Sequence, residues 1–263
     1  MSNPLVSILI LNYNNSKLLK RSINSCINQN YKKIEILIYD DKSQDNSAKV
    51  LKKINNTKVR YFLNKAKKLG IPALDARNGY NTLIKKSKGE IIFLLDSDDY
   101  FQKNKVKKIT NIFKEKKIDL IQDLPLIKFK NKIEYQKNSN NLLSFFPYFA
   151  PESCISFRKN FIKNFEKDTK IYSSKFEDVW LGFRLNLYAY YIKKSFFSLN
   201  DHLTVYEAQG ESKKYQTFGF NWFKRRKNSY NYLIKISKHK IDLKYNLDFV
   251  ITKLVFFLLN IFE

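Results

Sequence analysis

The stretch Gly89–Phe101, GEIIFLLDSDDYF, decides how the rest of the chain is interpreted. Five consecutive apolar residues, 91–95, run directly into the sequence DSDD at 96–99. A short apolar run that ends in carboxylates predicts a buried strand whose C-terminal end opens into a site. Three carboxylates in four positions repel one another, and a divalent cation bound to substrate phosphates is one arrangement that neutralises them. The alternative is a polar turn before a helix that begins near Asn104.

The composition predicts a globular chain that works in an anionic environment. Of its 263 residues 44% are hydrophobic, enough for a sizeable core, and the formal net charge is +25. Nucleic acid, an acidic membrane surface and anionic substrates are the candidate partners for that charge. Cys26 and Cys154 lie in apolar contexts, so we expect neither a disulfide framework nor a zinc site. The first apolar run, Leu5–Leu11, has no basic region before it, which predicts a first strand, no signal peptide and a cytoplasmic location.

The first third of the chain alternates strand and helix patterns. Apolar runs at Val6–Leu11, 34–39 and 59–63 predict strands, and Ser16 and Asp45 are placed to cap the helices between them. Such alternation predicts a parallel sheet flanked by helices, whose ligands collect at the carboxyl ends of the strands. Neither a G-x-G-x-x-G sequence after the first strand nor a G-x-x-x-x-G-K-[ST] sequence occurs, so we expect no glycine-rich phosphate loop.

Polar residues follow three of the predicted strands. Asn12 and Tyr13 follow the first, Asp40 and Asp41 follow the second, and DSDD follows the strand at 91–95. Because the carboxyl ends of parallel strands meet at one edge of a sheet, we expect these side chains to share a site. Carboxylates and a metal then take the place of a glycine loop.

Four segments together resemble the family 2 glycosyltransferases of GT-A fold in order, spacing and residue type. They are VSILILNYNN from Val6, IEILIYDDKSQDNS from Ile34, KKSKGEIIFLLDSDDYF from Lys85 and FEDVWLGFRL from Phe176. The resemblance covers roughly residues 4–210 and implies an α/β fold with a mostly parallel, Rossmann-like sheet flanked by helices. It also implies transfer of a sugar from a nucleotide-diphosphate donor, most commonly a UDP-sugar, to an acceptor hydroxyl. The implied reaction inverts the anomeric carbon and uses Mn²⁺ or Mg²⁺.

The resemblance assigns nucleotide-sugar binding to residues at the ends of the first two strands. Asn12 and Tyr13 match the loop that lines the family's nucleoside pocket, and Asp41 matches the aspartate that hydrogen-bonds the base. Asp40 can simply orient this loop, and Asp45 is interpreted as a helix cap.

The resemblance assigns the metal site to the acids after the strand at 91–95. Asp96 and Asp98 match the family's D-x-D motif, the first as the ribose contact and the second as the metal ligand, and Asp99 is a further metal ligand. The family often adds a histidine from a Tyr-Arg-x-His sequence, but this chain has VYEAQGES from Val205 at that place. His202 precedes it and is the remaining candidate for a metal or diphosphate contact.

The catalytic candidates are Glu177 and Asp178, which resemble the family's E-D pair at the start of a helix. The resemblance makes Asp178 the general base that removes the proton of the acceptor hydroxyl. An aspartate near its reference pKa of about 3.9 is ionised at neutral pH and can accept that proton. The alternative is that both acids only favour a helix N-terminus through its dipole.

An arginine for the diphosphate is the main departure from the family. At the positions of the family's Arg-Asn pair this chain has Tyr80 and Asn81, and Arg77 occurs three residues early. Either the segment has a small insertion and Arg77 contacts the diphosphate, or Asn81 is the true match. In the second case Lys65 or Lys85 supplies the positive charge.

The last part of the chain predicts an acceptor region and a membrane-binding tail. Aromatic residues around Pro147 form either a sugar platform or core. Aromatic and basic residues alternate over 218–240, and the apolar run at 249–262 is too short to span a bilayer. This pattern predicts a segment that lies on an anionic membrane surface, and a packed helix or an oligomer contact is the alternative.

We therefore expect a GT-A glycosyltransferase domain at 1–215 and a basic, apolar helical C-terminal extension at 216–263. Within the domain, 1–100 is the nucleotide-binding half and 101–215 the acceptor half. The expected function is addition of one sugar to a glycan or glycolipid of a bacterial lipopolysaccharide or capsule. The expected location is the cytoplasmic face of the inner membrane.

Two other functions are compatible with parts of the sequence. The charge of +25 suits a nucleic-acid-binding protein, but no recognition signature appears and three clustered carboxylates do not suit such a surface. We therefore expect no nucleic-acid partner. A GT-A fold that has lost activity and serves as a binding partner is the other possibility, and the intact Asp98 and Asp178 argue against it.

Overall fold

The computed structural model describes residues 3–130, 132–138, 148–170, 175–208, 218–238 and 243–261, the side chains of 243–246 excepted. Gln209 and the predicted aromatic platform residues Phe145 and Phe146 lie outside the described residues. The strands are β1 Val6–Asn12, β2 Ile34–Asp40, β3 Val59–Leu63, β4 Ile91–Asp96, β5 Tyr100–Phe101, β6 Leu120–Lys128, β7 Ile133–Tyr135, β8 Ile155–Arg158 and β9 Phe196–Glu207. The helices are α1 Ser16–Ile27, α2 Ser47–Lys52, α3 Pro72–Lys86, α4 Lys105–Glu115, α5 Lys159–Thr169, α6 Leu181–Leu187, α7 Phe220–Ile236 and α8 Leu243–Ile261.

These strands form one mixed sheet of nine strands, in the order β3-β2-β1-β4-β8-β6-β9-β5 with β7 beside β6. The strands β1 to β4 run parallel, as the alternating sequence pattern predicts. The later strands add antiparallel pairs, β4 with β8 and β8 with β6. The predicted α/β fold, a mostly parallel sheet flanked by helices, is confirmed.

The parallel strands β1, β2 and β4 are largely apolar on both faces because helices cover both faces, whereas β3 at the edge of the sheet is partly exposed. Along β1, Ile8 and Ile10 pack with α1, α2 and α4 on one side of the sheet. Leu9, between them, packs with α3, α5 and α6 on the other side. Continuous apolar runs in place of strict alternation are the sequence mark of this burial.

Gly89 fixes the position of the start of β4 beside β1. It therefore sets where the acids at the other end of β4, 96–99, lie along the sheet. A Cβ at this position would lie 2.5 Å from the backbone nitrogen of Ser7 and 2.9 Å from the carbonyl of Leu5. The amide of Gly89 donates to Ser7 Oγ at 2.8 Å, which locks β4 beside β1. Only glycine allows the two strands to approach this closely.

The last two helices pack against the segment that contains Asp178. A third apolar cluster joins Val179 and Leu187 to Tyr230 and Leu233 of α7 and Phe249 of α8. The opposite face of α8 is apolar and exposed over its length, with large side chains at Leu247, Val250, Ile251, Leu254, Phe257, Leu258 and Ile261. Among the described helices, none is both long and apolar enough to cross a bilayer.

A buried ion pair links α4 to the far strands of the sheet. Lys105 Nζ lies 2.8 Å from Asp123 Oδ1, and both side chains are fully buried. The same ammonium donates to Thr204 Oγ1 at 2.5 Å and to the carbonyl of Ser153 at 2.7 Å. Burial of a charge is tolerated only when it is paired and hydrogen-bonded in this way.

We expect Lys105→Met to destabilise the protein by about 3–5 kcal/mol, because it leaves Asp123 buried without its cation. The double variant Lys105→Met/Asp123→Leu should recover most of that loss, since the unpaired charge is gone. Lys108→Met is the matched control, because Lys108 pairs with Asp201 at 2.7 Å on the surface. It should cost less than about 1 kcal/mol. Urea unfolding measures all three, and equal losses for Lys105→Met and Lys108→Met would contradict a special role for the buried pair.

Candidate active site

The parallel strands bring the predicted polar residues to one edge of the sheet. In the register of β1 with its neighbours, Asn12 lies opposite Asp40 and Leu11 lies opposite Asp96. The three strands therefore end at the same level. Their following loops face a common site, as expected for the carboxyl edge of a parallel sheet.

Asp40 organises the loop after β2, in line with its structural interpretation from the sequence. Its carboxylate accepts from Asn12 Nδ2 at 2.6 Å and from the amide and hydroxyl of Ser43 at 3.1 and 2.7 Å. Asp45 accepts from the amide of Ser47 at 2.9 Å at the start of α2 and from the amide of Ser16 at 2.8 Å at the start of α1. Both acids hold backbone amides. Asp45, interpreted from the sequence as a helix cap, does so just before the N-cap residue of α2, Asn46.

Asp41 and Tyr13 form one corner of the site with two residues that sequence reasoning missed. Asn64 Nδ2 donates to Asp41 Oδ1 at 2.6 Å, and Lys68 Nζ lies 3.1 Å from Asp41 Oδ2. The same ammonium lies 3.2 Å from the centroid of the Tyr13 ring, which is half exposed. Asn64 directly follows β3, so the rule that polar residues collect at strand ends could have found it. Lys68 is the lysine at this corner, and the diphosphate role of Lys65 or Lys85 stays a prediction.

The acids after β4 are held by hydrogen bonds from several elements. Tyr80, fully buried in α3, donates to Asp96 Oδ1 at 2.8 Å. Asp99 Oδ2 accepts from Ser153 Oγ at 2.5 Å, and its Oδ1 accepts from the amide of Glu207 at 2.9 Å. Ser153 Oγ also accepts from the amide of Asp96 at 3.0 Å. One serine therefore fixes two of the three acids.

The carboxyl groups of this acid cluster, Asp96, Asp98 and Asp99, all have raised pKa values. Burial is the main cause, and it raises the pKa of Asp96 to about 7 with a further contribution from the charge of Asp98. Burial and then the charges of Asp98 and Asp96 raise the pKa of Asp99 well above its ordinary value. Because folding raises these pKa values, keeping the acids ionised costs stability that increases as the pH rises from 3.8 towards about 7. A cation at the cluster would remove that cost.

Glu207, which stands at the arginine position of the family's Tyr-Arg-x-His sequence, lies beside the acid cluster. Arg21 Nη1 lies 2.6 Å and Lys128 Nζ 3.0 Å from Glu207 Oε1. Arg21 also donates to the carbonyl of Asp98 at 2.6 Å and stacks on Tyr100 with 4.4 Å to the ring centroid. Two cations thus neutralise the fourth acid of this region.

His202 has its contacts elsewhere along β9. Its Nε2 lies 2.8 Å from the carbonyl of Gln136, and its ring packs edge-on against Tyr135 with 5.0 Å between centroids. These contacts do not include the acid cluster. Among the described residues, no group of three or more His, Cys, Asp and Glu side chains is already arranged around a metal position. The metal role of His202 stays a prediction without support from its contacts.

Arg77 is buried in α3 and faces the segment of Glu177. Burial lowers the pKa of its guanidinium, and Tyr232 and Glu177 oppose this shift. Tyr80, one turn further along the helix, is the residue that reaches Asp96. Asn81 is half-buried on the same helix. The diphosphate roles of Arg77 and Asn81 stay predictions.

Glu177 and Asp178 precede α6 and do not form its first turn, because the helix begins at Leu181. The helix dipole is therefore not the explanation for these two acids, since its effect falls off beyond the terminal turn. Asp178 Oδ2 instead accepts a hydrogen bond from the side-chain amide of Asn228 in α7. The sequence could not indicate this partner, which lies 50 residues away in the chain.

Asp178 lines a cavity of ≈ 310 Å³ between α6 and α7. Aromatic rings form much of its wall, and two arginines of α7 complete it; the lining includes Tyr148, Phe149, Phe183, Trp222, Arg225 and Arg226. Its volume falls at the lower end of the range found for small-molecule sites. Tyr148 and Phe149 belong to the aromatic platform that the sequence predicts.

Glu152 connects this cavity to the acid cluster. Its Oε1 accepts from the amide of Gly182 in α6 at 2.6 Å, and the next residue, Ser153, binds Asp99. Burial and then the charge of Asp96 raise the pKa of Glu152 to about 8, while Gly182 and Arg225 oppose the shift. Glu152 was not predicted, since no motif of the sequence contains it.

Comparisons with known proteins place this architecture in a family. The profile of the Glycosyl transferase family 2 matches residues 7–181, which contain the acid cluster, Glu177 and Asp178. The chain is 29% identical over 226 residues to poly(ribitol-phosphate) beta-N-acetylglucosaminyltransferase TarP of Staphylococcus aureus, a match that covers 78% of this chain and 67% of TarP. It is 32% identical over 114 residues to the Escherichia coli UDP-Glc:alpha-D-GlcNAc-diphosphoundecaprenol beta-1,3-glucosyltransferase WfaP, and this match covers 43% of each protein.

A solved structure shares the fold at low sequence identity. The crystal structure of S. aureus TarS 1–349 in complex with UDP-GlcNAc superposes with a TM-score of 0.65 at 16% identity, over 96% of this chain and 70% of TarS 1–349. The likeness extends over α7 and α8, beyond the end of the family profile at residue 181. Its fold is the GT-A fold, and by its sequence profile this chain belongs to the Glycosyl transferase family 2.

Proposed function

We propose that this chain is a metal-dependent, inverting glycosyltransferase that moves one sugar from a UDP-sugar to a hydroxyl of a glycan or glycolipid. The observation that carries the proposal is the pairing of an acid cluster at the strand ends with a second acid, Asp178, in an adjoining cavity. Family membership supports sugar transfer. The names of TarP and WfaP, which give poly(ribitol-phosphate) and a GlcNAc-diphosphoundecaprenol as their acceptors, support an acceptor in bacterial cell-surface polysaccharide synthesis such as lipopolysaccharide or capsule.

The donor side of the reaction uses the edge of the parallel sheet. Asp41 would hydrogen-bond the base beside Tyr13, and Asp96 the ribose. Asp98 and Asp99 are oxygen donors of the kind that Mn²⁺ and Mg²⁺ prefer, and the raised pKa values of these acids mark a place where positive charge is favourable. A bound divalent ion would stabilise the negative charge that develops on the leaving diphosphate.

The acceptor side uses the cavity between α6 and α7. Asp178 would take the proton of the acceptor hydroxyl as that oxygen attacks the sugar carbon from the face opposite the nucleotide. The hydrogen bond from Asn228 holds one carboxylate oxygen, which leaves the other for the acceptor. Glu177 faces Arg77, and this charge interaction would hold the backbone of the segment that contains Asp178 in place. In this proposal 1–215 form the catalytic domain, and the extension 216–263 supplies one wall of the acceptor cavity.

The exposed face of α8 supports attachment to the cytoplasmic side of the inner membrane. It is apolar, while Lys253 lies on the flank of this face and Lys224 and Lys227 lie on the adjacent α7. An apolar face bordered by lysines is the composition of a helix that lies in a membrane interface. A chain of net charge +25 is further attracted by anionic lipid.

A screen of nucleotide sugars for Mn²⁺-dependent thermal stabilisation and hydrolysis tests the function, and Asp98→Asn tests its metal site. We expect Mn²⁺ to raise the melting temperature of the wild type, at about 2–4 °C per kcal/mol for a chain of this size. Asp98→Asn should lose this stabilisation and transfer, yet melt higher than the wild type without metal, because one of the repelling charges is gone.

Asp201→Asn is the matched control for Asp98→Asn, since it removes an exposed acid of the same type. It should leave the effect of Mn²⁺ unchanged. Full transfer by Asp98→Asn, or by wild-type protein treated with EDTA, would rule out the metal role. If no nucleotide sugar is hydrolysed or stabilises the protein with any divalent ion, the function itself is wrong.

Asp178→Asn should reduce kcat by roughly 10²–10⁴-fold and leave donor binding unchanged, because only proton removal is lost. The neighbouring Glu177→Gln is the control, and its effect should be much smaller. Turnover is measured with the donor and acceptor that the screen identifies, and NMR reports the anomeric configuration of the product. Equal losses in the two variants, or a product of retained configuration, would contradict the role of Asp178.

The variant Val250→Gln/Leu254→Gln/Phe257→Gln should bind vesicles of phosphatidylcholine and phosphatidylglycerol more weakly than the wild type. At about 25 cal/mol per Å² of apolar area, the loss is on the order of tenfold for each side chain. The control is Leu63→Gln/Leu69→Gln/Ile133→Gln, in which three equally exposed apolar residues outside α8 are replaced. Flotation in high salt isolates the apolar contribution. Equal binding by the two triple variants would refute membrane contact through α8.

A further inference from the structure

Three lysines on α7 and α8 lie close to one another, near Asp178 and the apolar face of α8. Lys227 Nζ lies 3.6 Å from the centroid of the Phe256 ring, and Lys253 Nζ lies 4.2 Å from that of Phe249. Lys253 and Phe256 are three residues apart on α8 and therefore neighbours on its surface. Lys224 precedes Lys227 by one turn of α7 in the same way. We call Lys224, Lys227 and Lys253 the lysine cluster.

The lysine cluster adjoins the site of the proposed chemistry. Lys227 is directly followed by Asn228, whose side chain donates to Asp178. Asp178 is also the acid whose charge acts on Lys227, against burial and the charges of Lys224 and Lys253, which together lower the pKa of that lysine. Lys227 therefore lies within reach of two further ammonium groups and of one acid, Asp178. The excess positive charge is most easily accommodated where an anion binds.

The apolar face of α8 begins beside the same cluster. Lys253 is exposed next to Leu254 and is three residues from Val250, both of which belong to that face. From the membrane towards the cavity, a ligand would meet apolar side chains first, then the ammonium groups, and then Asp178. This order matches an amphiphile with a hydrocarbon chain, a phosphate and a hydroxyl-bearing head.

From this order we propose that the lysine cluster binds the phosphate group of a membrane-borne, lipid-linked acceptor and so presents the sugar of that acceptor to Asp178. The inference rests on the proposed function and names the class of its acceptor. Lysine is a common ligand for phosphate as a compact point charge. Trp222 and Arg225 in the cavity wall then face the sugar that follows the phosphate.

The test compares wild-type protein with Lys224→Gln/Lys227→Gln/Lys253→Gln and with a control of equal charge, Lys49→Gln/Lys107→Gln/Lys163→Gln. The control lysines are exposed on α2, α4 and α5. Each full-length protein is titrated in EDTA with phosphatidylcholine vesicles that contain hexadecyl phosphate, or phosphatidylglycerol at the same surface charge. EDTA removes metal from the acid cluster and so suppresses phosphate binding there.

The wild type and the control should prefer hexadecyl phosphate to phosphatidylglycerol, because the cluster binds the phosphate itself and does not only sense surface charge. The cluster variant should lose that preference. Its affinity for hexadecyl phosphate should fall roughly fivefold for each lost lysine and on the order of a hundredfold for all three. Lys224→Gln/Lys253→Gln, which changes only the two exposed lysines, should lose most of the preference even if replacement of Lys227 unfolds the protein.

Two outcomes would overturn the inference. Equal losses in the cluster and control variants would mean that vesicles respond to net charge alone. Competition by inorganic phosphate as effective as that by hexadecyl phosphate, at matched ionic strength, would mean a site for a soluble phosphate. Hydrolysis of UDP-sugar by the wild type separates this inference from the proposed function. Hydrolysis without the preference for hexadecyl phosphate refutes only the inference. The preference without hydrolysis supports the phosphate site and refutes the proposed function.

Discussion

The ammonium group of Lys105, buried beneath the site, is the interaction on which the acid cluster depends. It binds Asp123 and the carbonyl of Ser153, and the hydroxyl of Ser153 in turn contacts Asp99 and the amide of Asp96. The buried Lys105 ammonium thus positions Ser153, and Ser153 in turn positions Asp96 and Asp99. This matters because carboxylates so close together would otherwise separate by moving the loop after β4. The hydrogen bonds of this network fix the positions of these particular carboxylates, which apolar packing alone could not do.

One wall of the proposed acceptor cavity is built by parts of the chain that the family profile does not include. The profile ends at residue 181, whereas Asn228, Trp222 and Arg225 come from α7. The proposed donor edge can be the same in many enzymes, since all nucleotide-diphosphate sugars present the same diphosphate. The wall opposite Asp178 has to fit one acceptor. A sheet edge shared across the family and a C-terminal wall that differs between members therefore follow from the proposed ligands, a common donor type at the edge and a particular acceptor at the wall.

Features with a local cause in the sequence could be predicted, whereas contacts between segments far apart in the chain could not. The strands β1, β2 and β4 could be predicted because burial on both faces leaves an apolar run, and the acids at the ends of β2 and β4 follow directly from those runs. The contacts of Asp41 with Lys68 and of Asp178 with Asn228 could not be predicted, because they join segments that only the completed fold brings together. The same holds for β9, whose pairing leaves His202 apart and brings the amide of Glu207 to Asp99.

The adjacency of Lys227 and Asn228 in α7 has a consequence for the length of the product. Consecutive residues of a helix are separated by about 1.5 Å along its axis, so the proposed phosphate anchor, Lys227, and the residue that holds the proposed base Asp178, Asn228, start from neighbouring points of the backbone. An acceptor gripped at its phosphate can offer only a hydroxyl that lies near that phosphate. A longer glycan would carry its growing end past Asp178. Under the two proposals made above, the spacing suits an enzyme that adds its sugar among the first residues of a glycan, with product length limited by the distance between phosphate and base.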